Sequence, residues 1–356
     1  MMLASEWLPI LEVHEKELLS SLGLEGYSFV QGGPFGNTFE YRPGAQWMVL
    51  EAVHPNGEKR AVRVPVHDRF AQEDHITRLK LIAQELKNQD AGWFPSFDIH
   101  SYEFGGEVAL TPCPVMVMDW IEGQSIASVL SNHRHDHQKL EDLDNQLSEL
   151  IDEMIRGGFD HGDISVTNLR VRPNGMLMLL DPDSLVHESM AISKSLELGH
   201  ATWNHSKRTE RHTKLLHIIP FHLMKWLIRG LMTNPHLLHE EPDVEEFFFT
   251  EADLAGPYQS PRFHALMEAL DLSPTTLEHH PLGRLMEALA DDFENIGLHL
   301  PLPDITLHRP SVTIDYLIHC TPIKRATSLG RRPVKLHRRL LRPTSFSLEF
   351  NRFKSE

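Results

Sequence analysis

The chain has 356 residues, of which 41% are hydrophobic and 24% charged, and its formal net charge is −16. This size and composition suit a globular protein with one large core or two moderate ones. Only two cysteines occur, Cys113 and Cys320, which excludes a disulfide framework or a zinc cluster. No run of about 18 apolar residues predicts a membrane span, so we expect a cytoplasmic protein without a transmembrane segment.

The N-terminal segment, residues 1–25, has apolar residues at every third or fourth position. That period is typical of an amphipathic helix. Acidic residues stand where a signal peptide needs basic ones. We therefore predict an N-terminal helical extension over residues 1–25.

Residues 26–120 are predicted to form a small lobe built around an antiparallel sheet. Short segments rich in Val, Phe, Tyr and Trp alternate with turns, and Asn56-Gly57 is a typical hairpin turn. Within this region, residues 68–87 carry apolar side chains at helical spacing and predict one helix. The small lobe is thus mostly strand with a single helix.

Residues 121–300 form the second predicted lobe, in which most of the pattern is helical. A short hydrophobic hairpin lies inside it, around residues 159–183. The expected architecture is an α+β bilobal fold, with a small antiparallel β lobe, a larger helical lobe and a cleft between them.

Three polar residues surround that hairpin, namely Asp163, Asn168 and Asp181, in the segments HGDISVTN and LLDPD. Carboxylate and amide oxygens are ligands that Mg²⁺ prefers, and a further carboxylate can orient an attacking hydroxyl as a general base. The set suits phosphoryl transfer, with Asn168 and Asp181 as metal ligands and Asp163 as the base. The alternative is that the three residues only cap turns.

These motifs, at these intervals, resemble the protein kinase superfamily, including its bacterial kinase-like members. HGDISVTN resembles the catalytic loop, with Asn168 five residues after Asp163, and LLDPD resembles the magnesium motif usually written DFG. The resemblance covers about residues 26–290. It implies a protein-kinase-like bilobal fold, ATP and Mg²⁺ as cofactors, and His161 packed beneath the catalytic loop.

The resemblance also assigns residues in the small lobe. QGGPFGNTFEY resembles the glycine-rich phosphate loop, with Gly33, Phe35 and Gly36 as its binding residues. AVRV aligns with the Ala-x-Lys strand, so Ala61 borders the base and Arg63 stands where a lysine normally binds phosphates. Glu85 is the expected helix acid that pairs with Arg63.

Glu73 is the alternative for that helix acid, and either glutamate could instead be a solvated helix charge. In the predicted hinge between the lobes, Met118 corresponds to the gatekeeper. Asp119 would offer its carbonyl to adenine, and Ile121 both its carbonyl and its N–H.

Several positions depart from the kinase pattern. Gly162 replaces the arginine that reads a phosphorylated activation loop, so regulation of that kind is not expected. Pro182 and Asp183 replace Phe-Gly and should stiffen the segment. The predicted helix around residues 215–231 contains no aspartate that could brace the catalytic loop.

Two charged or titratable segments remain. Residues 301–356 form a basic tail, with ten Lys and Arg against two Glu after residue 320. The tail could contact the acidic body of its own chain, nucleic acid or an anionic membrane surface. The histidine cluster at residues 132–137 is better interpreted as a solvated loop than as a metal site.

Three functions are compatible with the sequence. The first is an ATP- and Mg-dependent phosphotransferase of serine/threonine protein kinase type, which transfers the γ-phosphate to a hydroxyl. The second is a pseudokinase, a nucleotide-binding or scaffold module. The third is a small-molecule kinase of the aminoglycoside-phosphotransferase type, favoured by the HGD motif, so the acceptor is a protein or a small-molecule hydroxyl.

Overall fold

A computed structural model of the chain describes residues 4–32, 38–43, 47–66, 72–103, 113–190, 198–238 and 247–300. The fold is α+β, with an N-terminal antiparallel sheet followed by a mainly helical part, as the sequence predicts. The predicted basic tail lies outside the described residues.

The small lobe contains a six-stranded sheet with the order β1-β5-β6-β8-β7, and β4 also pairs with β5. All of its neighbouring strands are antiparallel. A separate two-stranded pair, β2 with β3, branches from it. The strands are β1 (Ser28–Phe29), β2 (Gln31–Gly32), β3 (Thr38–Phe39), β4 (Tyr41–Pro43), β5 (Trp47–Val53), β6 (Lys59–Pro65), β7 (Phe97–Tyr102) and β8 (Cys113–Asp119).

The central hairpin of this sheet joins β5 to β6 at the predicted Asn56-Gly57 turn. The His54 amide donates to the Glu58 carbonyl over 2.8 Å, and Gly57 has φ +90°, a conformation that favours glycine. The hairpin fixes the register at Val49 opposite Arg63. Arg63 therefore lies in the interior of the sheet.

One face of the sheet is covered by helix α1 (Ala4–Ser21). Successive side chains of a strand point to opposite faces, so Val62 and Val64 of β6 pack in one core cluster with Leu11 of α1, while Ala61 belongs to the cluster on the other face. The Trp7 indole donates to the Pro65 carbonyl over 2.9 Å. The N-terminal helix is thus an integral layer of the small lobe.

Helix α2 (Glu73–Asn88) crosses toward the large lobe and buries His75, Leu79, Ile82 and Leu86. The sequence predicts this helix over residues 68–87. Gln72 is the N-cap residue, with extended backbone and no side-chain cap hydrogen bond, and residues 67–71 lie outside the described range. One turn of α2 contacts the segment that follows the predicted metal aspartate.

The large lobe is organised around two long helices that pack against each other and a set of short strands. Helices α4 and α5 pack against each other, and β10 pairs with β13 while β12, β11 and β9 form a small sheet. The elements are β9 (Gln124–Ser125), α3 (Ile126–His133), α4 (His137–Arg156), β10 (Phe159–His161), β11 (Leu169–Val171), β12 (Leu177–Leu179), β13 (Leu185–His187), α5 (Ile218–Thr233), α6 (Glu251–Ala255), α7 (Pro261–Ala269), α8 (Pro274–Leu277), α9 (Pro281–Ala290) and α10 (Ile296–His299).

The short strands bring the two predicted motifs together. β10 leads into the loop at residues 162–168, and β12 leads into Asp181. The Leu180 amide donates to the Asn168 carbonyl over 2.8 Å, which ties the ends of the two segments. In the part of the chain that the structure describes, no helix has both the length and the apolarity to cross a bilayer.

The contribution of α1 can be tested by truncating one buried side chain. Leu11→Ala should lower the free energy of unfolding by about 2–5 kcal/mol, because Leu11 is completely buried and its removal leaves a cavity. Chemical denaturation measures this change. Val13→Ala on the same helix is the matched control, since Val13 is 80% exposed and should shift stability by less than about 0.5 kcal/mol. Equal effects of the two variants would contradict the packing of α1 on the sheet.

Candidate active site

A cavity of about 680 Å³ lies between the sheet and the large lobe. Both lobes contribute its walls, through Arg42, Trp47, Val49, Ala61, Arg63, Pro95, Met118, Asp119, Trp120, Ile121, Asp163, Thr167, Asn168, Arg170, Leu180 and Asp181. Eight of the predicted site residues are in this set, namely Ala61, Arg63, Met118, Asp119, Ile121, Asp163, Asn168 and Asp181. The cavity is the natural candidate for a ligand site.

The predicted phosphate loop is not described. Gly33, Phe35 and Gly36 lie outside the described residues. Among the described residues that precede β6, Arg42 of β4 and Trp47 and Val49 of β5 line the cavity.

His161 is completely buried beneath the catalytic loop, where the sequence predicts it. Its Nε2 donates to the Asp181 carbonyl over 3.0 Å, and its Nδ1 accepts from the Asp163 amide over 3.1 Å. These partners require the neutral ring with the proton on Nε2. Burial lowers the pKa of His161, against the nearby charge of Asp163, so the ring stays neutral and joins the two motifs.

The carboxylate of Asp163 is held from both sides. Asn168 Nδ2 donates to Asp163 Oδ2 over 2.7 Å and to the Asp163 carbonyl over 2.9 Å. The His200 amide donates to the other carboxylate oxygen over 2.7 Å. Because the amide nitrogen of Asn168 faces Asp163, its side-chain oxygen Oδ1 points away from that carboxylate.

Asp181 ends β12 in a strained conformation, with φ +69° and ψ +89°. A non-glycine residue adopts positive φ only where surrounding contacts fix it. The proline that follows begins a short 3₁₀ turn, Pro182–Ser184, for which its fixed φ is suited. The strain orients the Asp181 carbonyl toward His161 and its carboxylate toward the cavity.

The guanidinium of Arg63 lies between two carboxylates. Its Nη2 is 3.0 Å from Asp181 Oδ1 and 3.3 Å from Asp183 Oδ2. The Trp47 ring lies 5.5 Å from the guanidinium carbon. Only 11% of the Arg63 side chain is exposed, so this cation is enclosed among its partners.

Glu85, predicted to pair with Arg63, does not lie among these partners. It sits ten residues after His75 on α2, which places it about 15 Å farther along the helix axis. The alternative, Glu73, is exposed at the first turn. The acid facing Arg63 comes instead from the large lobe, because the segment after β12 turns back beneath α2.

Asp183 is the residue that sequence reasoning undervalued, since it was considered only as the replacement of a glycine. Burial alone would raise the pKa of Asp183, but the hydrogen bond with His75 and the charge of Arg63 outweigh it and hold the pKa at about 2. His75 Nε2 lies 2.8 Å from Asp183 Oδ1. A second acid two residues after Asp181 was the signal available in the sequence.

The catalytic loop is braced through Asp160. Its carboxylate accepts from the Leu216 amide over 2.9 Å, and from the His217 amide and ring Nδ1 over 3.0 and 2.6 Å. Burial opposes the charge, but the bond to His217 lowers the pKa of Asp160 overall. The helix lacks an aspartate, as the sequence shows, and the acid is supplied by β10.

Gly162 is required by the close approach of Arg208. Arg208 Nη1 donates to the Gly162 carbonyl over 2.5 Å, and a Cβ at Gly162 would lie 2.7 Å from Arg208 Nη2. Many kinases carry an arginine at the position of Gly162, and here the guanidinium of Arg208 contacts the backbone at that position.

The hinge end of the cavity carries two further arginines that the sequence did not single out. Arg42 lies over the Trp120 ring at 4.7 Å, and Arg170 Nη1 donates to the Gly123 carbonyl over 3.0 Å. Burial and the neighbouring charge of Arg42 lower the pKa of Arg170. The charges are thus divided along the cavity, with two cations toward the hinge and Asp163 and Asp181 toward the catalytic loop.

The residues fit a magnesium ion of the kinase kind. Asp181 and Asn168 present hard oxygen atoms to one cavity, and Mg²⁺ usually takes one or two protein ligands together with water and phosphate oxygens. Among the described residues, no group of three or more His, Cys, Asp or Glu side chains could hold a metal by itself. The set therefore suits a metal that arrives with a phosphate ligand.

The α+β fold, with its N-terminal sheet and its helical part, fits a kinase-like fold. Residues 108–194, from the hinge strand to just beyond the Asp-Pro-Asp turn, match the model of the ABC1 atypical kinase-like domain. The predicted resemblance to the protein kinase superfamily is confirmed over this segment. No curated protein matches the chain.

The low pKa of Asp183 predicts a dependence of stability on pH. A carboxylate whose pKa falls from 3.8 to about 2 on folding contributes about 2 kcal/mol above pH 4, and this contribution is lost as the pH falls toward 2. The difference in free energy of unfolding between the wild type and Asp183→Asn should narrow by about 1 kcal/mol between pH 5 and pH 3.

Urea denaturation at each pH measures this difference. Asp98→Asn is the control, because Asp98 is exposed on β7. A difference between wild type and Asp183→Asn that stays constant with pH would contradict a buried, ionised Asp183.

Proposed function

We propose that this chain binds ATP with Mg²⁺ in the cavity between the lobes and transfers the γ-phosphate to a hydroxyl. The observation that supports this most is the convergence of Asp163, Asn168 and Asp181 on one cavity that the hinge strand also borders. Phosphoryl transfer needs positioning and charge stabilisation more than covalent chemistry.

Each residue has a definite task in this proposal. Asp181 and the Asn168 side-chain oxygen would hold the metal, which supplies charge neutralisation of the phosphates when bound. Asp163, fixed by Asn168 and the His200 amide, would orient the acceptor hydroxyl and take up its proton. Ala61, Met118 and the backbone of Asp119 and Ile121 would contact the base.

His161 would serve the site without touching the ligand. It joins the carbonyl of Asp181 to the amide of Asp163, so the metal ligand and the base keep a fixed separation. By hydrogen-bonding to the backbone of both residues, His161 would hold Asp163 and Asp181 in the geometry that the site needs.

A second function, nucleotide binding without turnover, is favoured by one observation. Arg63 makes an ion pair with Asp181, the carboxylate that the metal would need. If ligand binding did not displace this pair, the chain would act as a pseudokinase. Arg63→Lys tests the arginine directly. Raised turnover would indicate a weakened kinase, lost turnover would indicate an arginine adapted to the phosphates, and absence of turnover in both the wild type and the variant would support the pseudokinase.

Nucleotide binding is tested by thermal shift with ATP and MgCl₂. At a ligand concentration 100 times Kd, stabilisation of the wild type should be about 2.7 kcal/mol, and Asp181→Asn should lose most of it because the carboxylate that would hold the metal becomes a neutral amide. Asn tolerates positive φ, so the variant keeps the turn. Asp98→Asn should respond like the wild type, and absence of any shift in the wild type would contradict the proposal.

Turnover is tested by transfer of label from γ-labelled ATP. Asp163→Asn should reduce transfer by about 10²–10⁴-fold, the usual contribution of a general base, while ATP still stabilises the protein. Label in protein fractions would indicate a protein acceptor, and label in small molecules alone would indicate a small-molecule kinase. Stabilisation by ATP without any transfer would support the pseudokinase.

A further inference from the structure

The two carboxylates that contact Arg63 have different surroundings. The Asp181 side chain is 19% exposed and lines the cavity, whereas the Asp183 side chain is completely buried. A metal or phosphate entering the cavity therefore meets Asp181 and not Asp183. Of the two acids, only Asp181 is in a position to exchange partners.

Asp183 is held in place by helix α2. His75, which is 3% exposed, contacts the Asp183 carboxylate through Nε2 at 2.8 Å. Arg78 Nη2 donates to the Asp183 carbonyl over 2.5 Å, and Arg78 Nη1 donates to the Leu185 carbonyl over 2.8 Å. The helix thus fixes both the side chain and the backbone of this acid.

The contacts continue along α2. Arg78 Nη2 lies 3.4 Å from His75 Nδ1, and His75 Nε2 donates to the Asp183 carboxylate, which can only accept. A continuous set of hydrogen bonds therefore runs from Arg78 through His75 and Asp183 to Arg63.

We propose that Asp183 and His75 are positioning residues for Arg63. They would hold the Arg63 guanidinium toward the cavity when Asp181 exchanges its contact with Arg63 for one with the bound metal. In protein kinases the partner of the phosphate-binding cation is an acid on the helix. Here the acid follows the metal motif, and the helix supplies a histidine that holds it.

The effect on Mg²⁺ affinity rests on the proposed function, whereas the contacts of Asp183 and His75 are those of the protein without a ligand. Without Asp183, Arg63 would have Asp181 as its remaining carboxylate. Mg²⁺ would then compete with Arg63 for the Asp181 carboxylate. The metal affinity would then fall, although neither Asp183 nor His75 touches the cavity.

The first experiment measures the MgCl₂ concentration that gives half of the thermal stabilisation by ATP. Asp183→Asn should raise this concentration about tenfold, because Arg63 would then pair more strongly with Asp181 and make the free energy of Mg²⁺ binding less favourable. An unchanged midpoint in a folded Asp183→Asn variant would overturn the proposal.

A pair of His75 variants repeats the test with smaller perturbation. His75→Gln keeps a donor for Asp183 and should stay within about twofold of the wild-type Mg²⁺ midpoint, while His75→Leu should shift it as Asp183→Asn does. Equal midpoints for the two variants would show that His75 only fills space.

A measurement without ligand separates this proposal from the proposed function. The losses of Tm in His75→Leu and Arg63→Met should not add in the double variant, since both act through Asp183. If the wild type binds no nucleotide but the Tm losses of the two single variants do not add, the positioning role is supported and the proposed function is contradicted. Additive losses would overturn the positioning role.

Discussion

The structure depends on a buried arrangement of charges between the two lobes. Arg63 of the small-lobe sheet lies between Asp181 and Asp183 of the large lobe, and α2 completes the set with His75 and Arg78. An enclosed ion that loses its partner costs several kcal/mol, so none of these elements can move far without the others. The contacts of Arg63 with Asp181 and Asp183 therefore link the two lobes, in addition to the hinge strand.

In two places the acid comes from a different element than in the usual kinase pattern. The acid that pairs with Arg63, Asp183, follows β12, while α2 contributes His75. The acid that braces the catalytic loop, Asp160, lies on β10, and its partners Leu216 and His217 directly precede α5. Electrostatic attraction does not depend on which segment carries which sign, so a fold can keep its geometry while another segment supplies the acid.

The local part of the site could be predicted from the sequence. Asp163, Asn168 and Asp181 lie within one short hairpin, where spacing along the chain fixes spacing in space, and the hinge residues follow one strand. Partners that meet across long separations could not be predicted in the same way. Glu85 is predicted from its distance to the WFPSF segment that follows the helix, but Asp183 lies 108 residues from His75 and its position depends on how β13 and α2 pack.

The glycine-rich segment illustrates a second limit. Gly33, Phe35 and Gly36 follow a phosphate-loop pattern and lie outside the described residues. Arg42, Trp47 and Arg170 line the cavity, yet no short motif marks them. Their side chains become site residues through the sheet register and the contact between the lobes, which spacing along the chain does not give.

Helix α1 has a practical consequence for handling this protein. A shortened version starting near Gly26 would retain every motif but would uncover the rear of the sheet, where Met48, Leu50 and Val62 are completely buried. Contiguous apolar surface of this kind favours self-association. The minimal unit for expression therefore begins before the first strand, and a boundary chosen from the kinase motifs alone would give an aggregation-prone fragment.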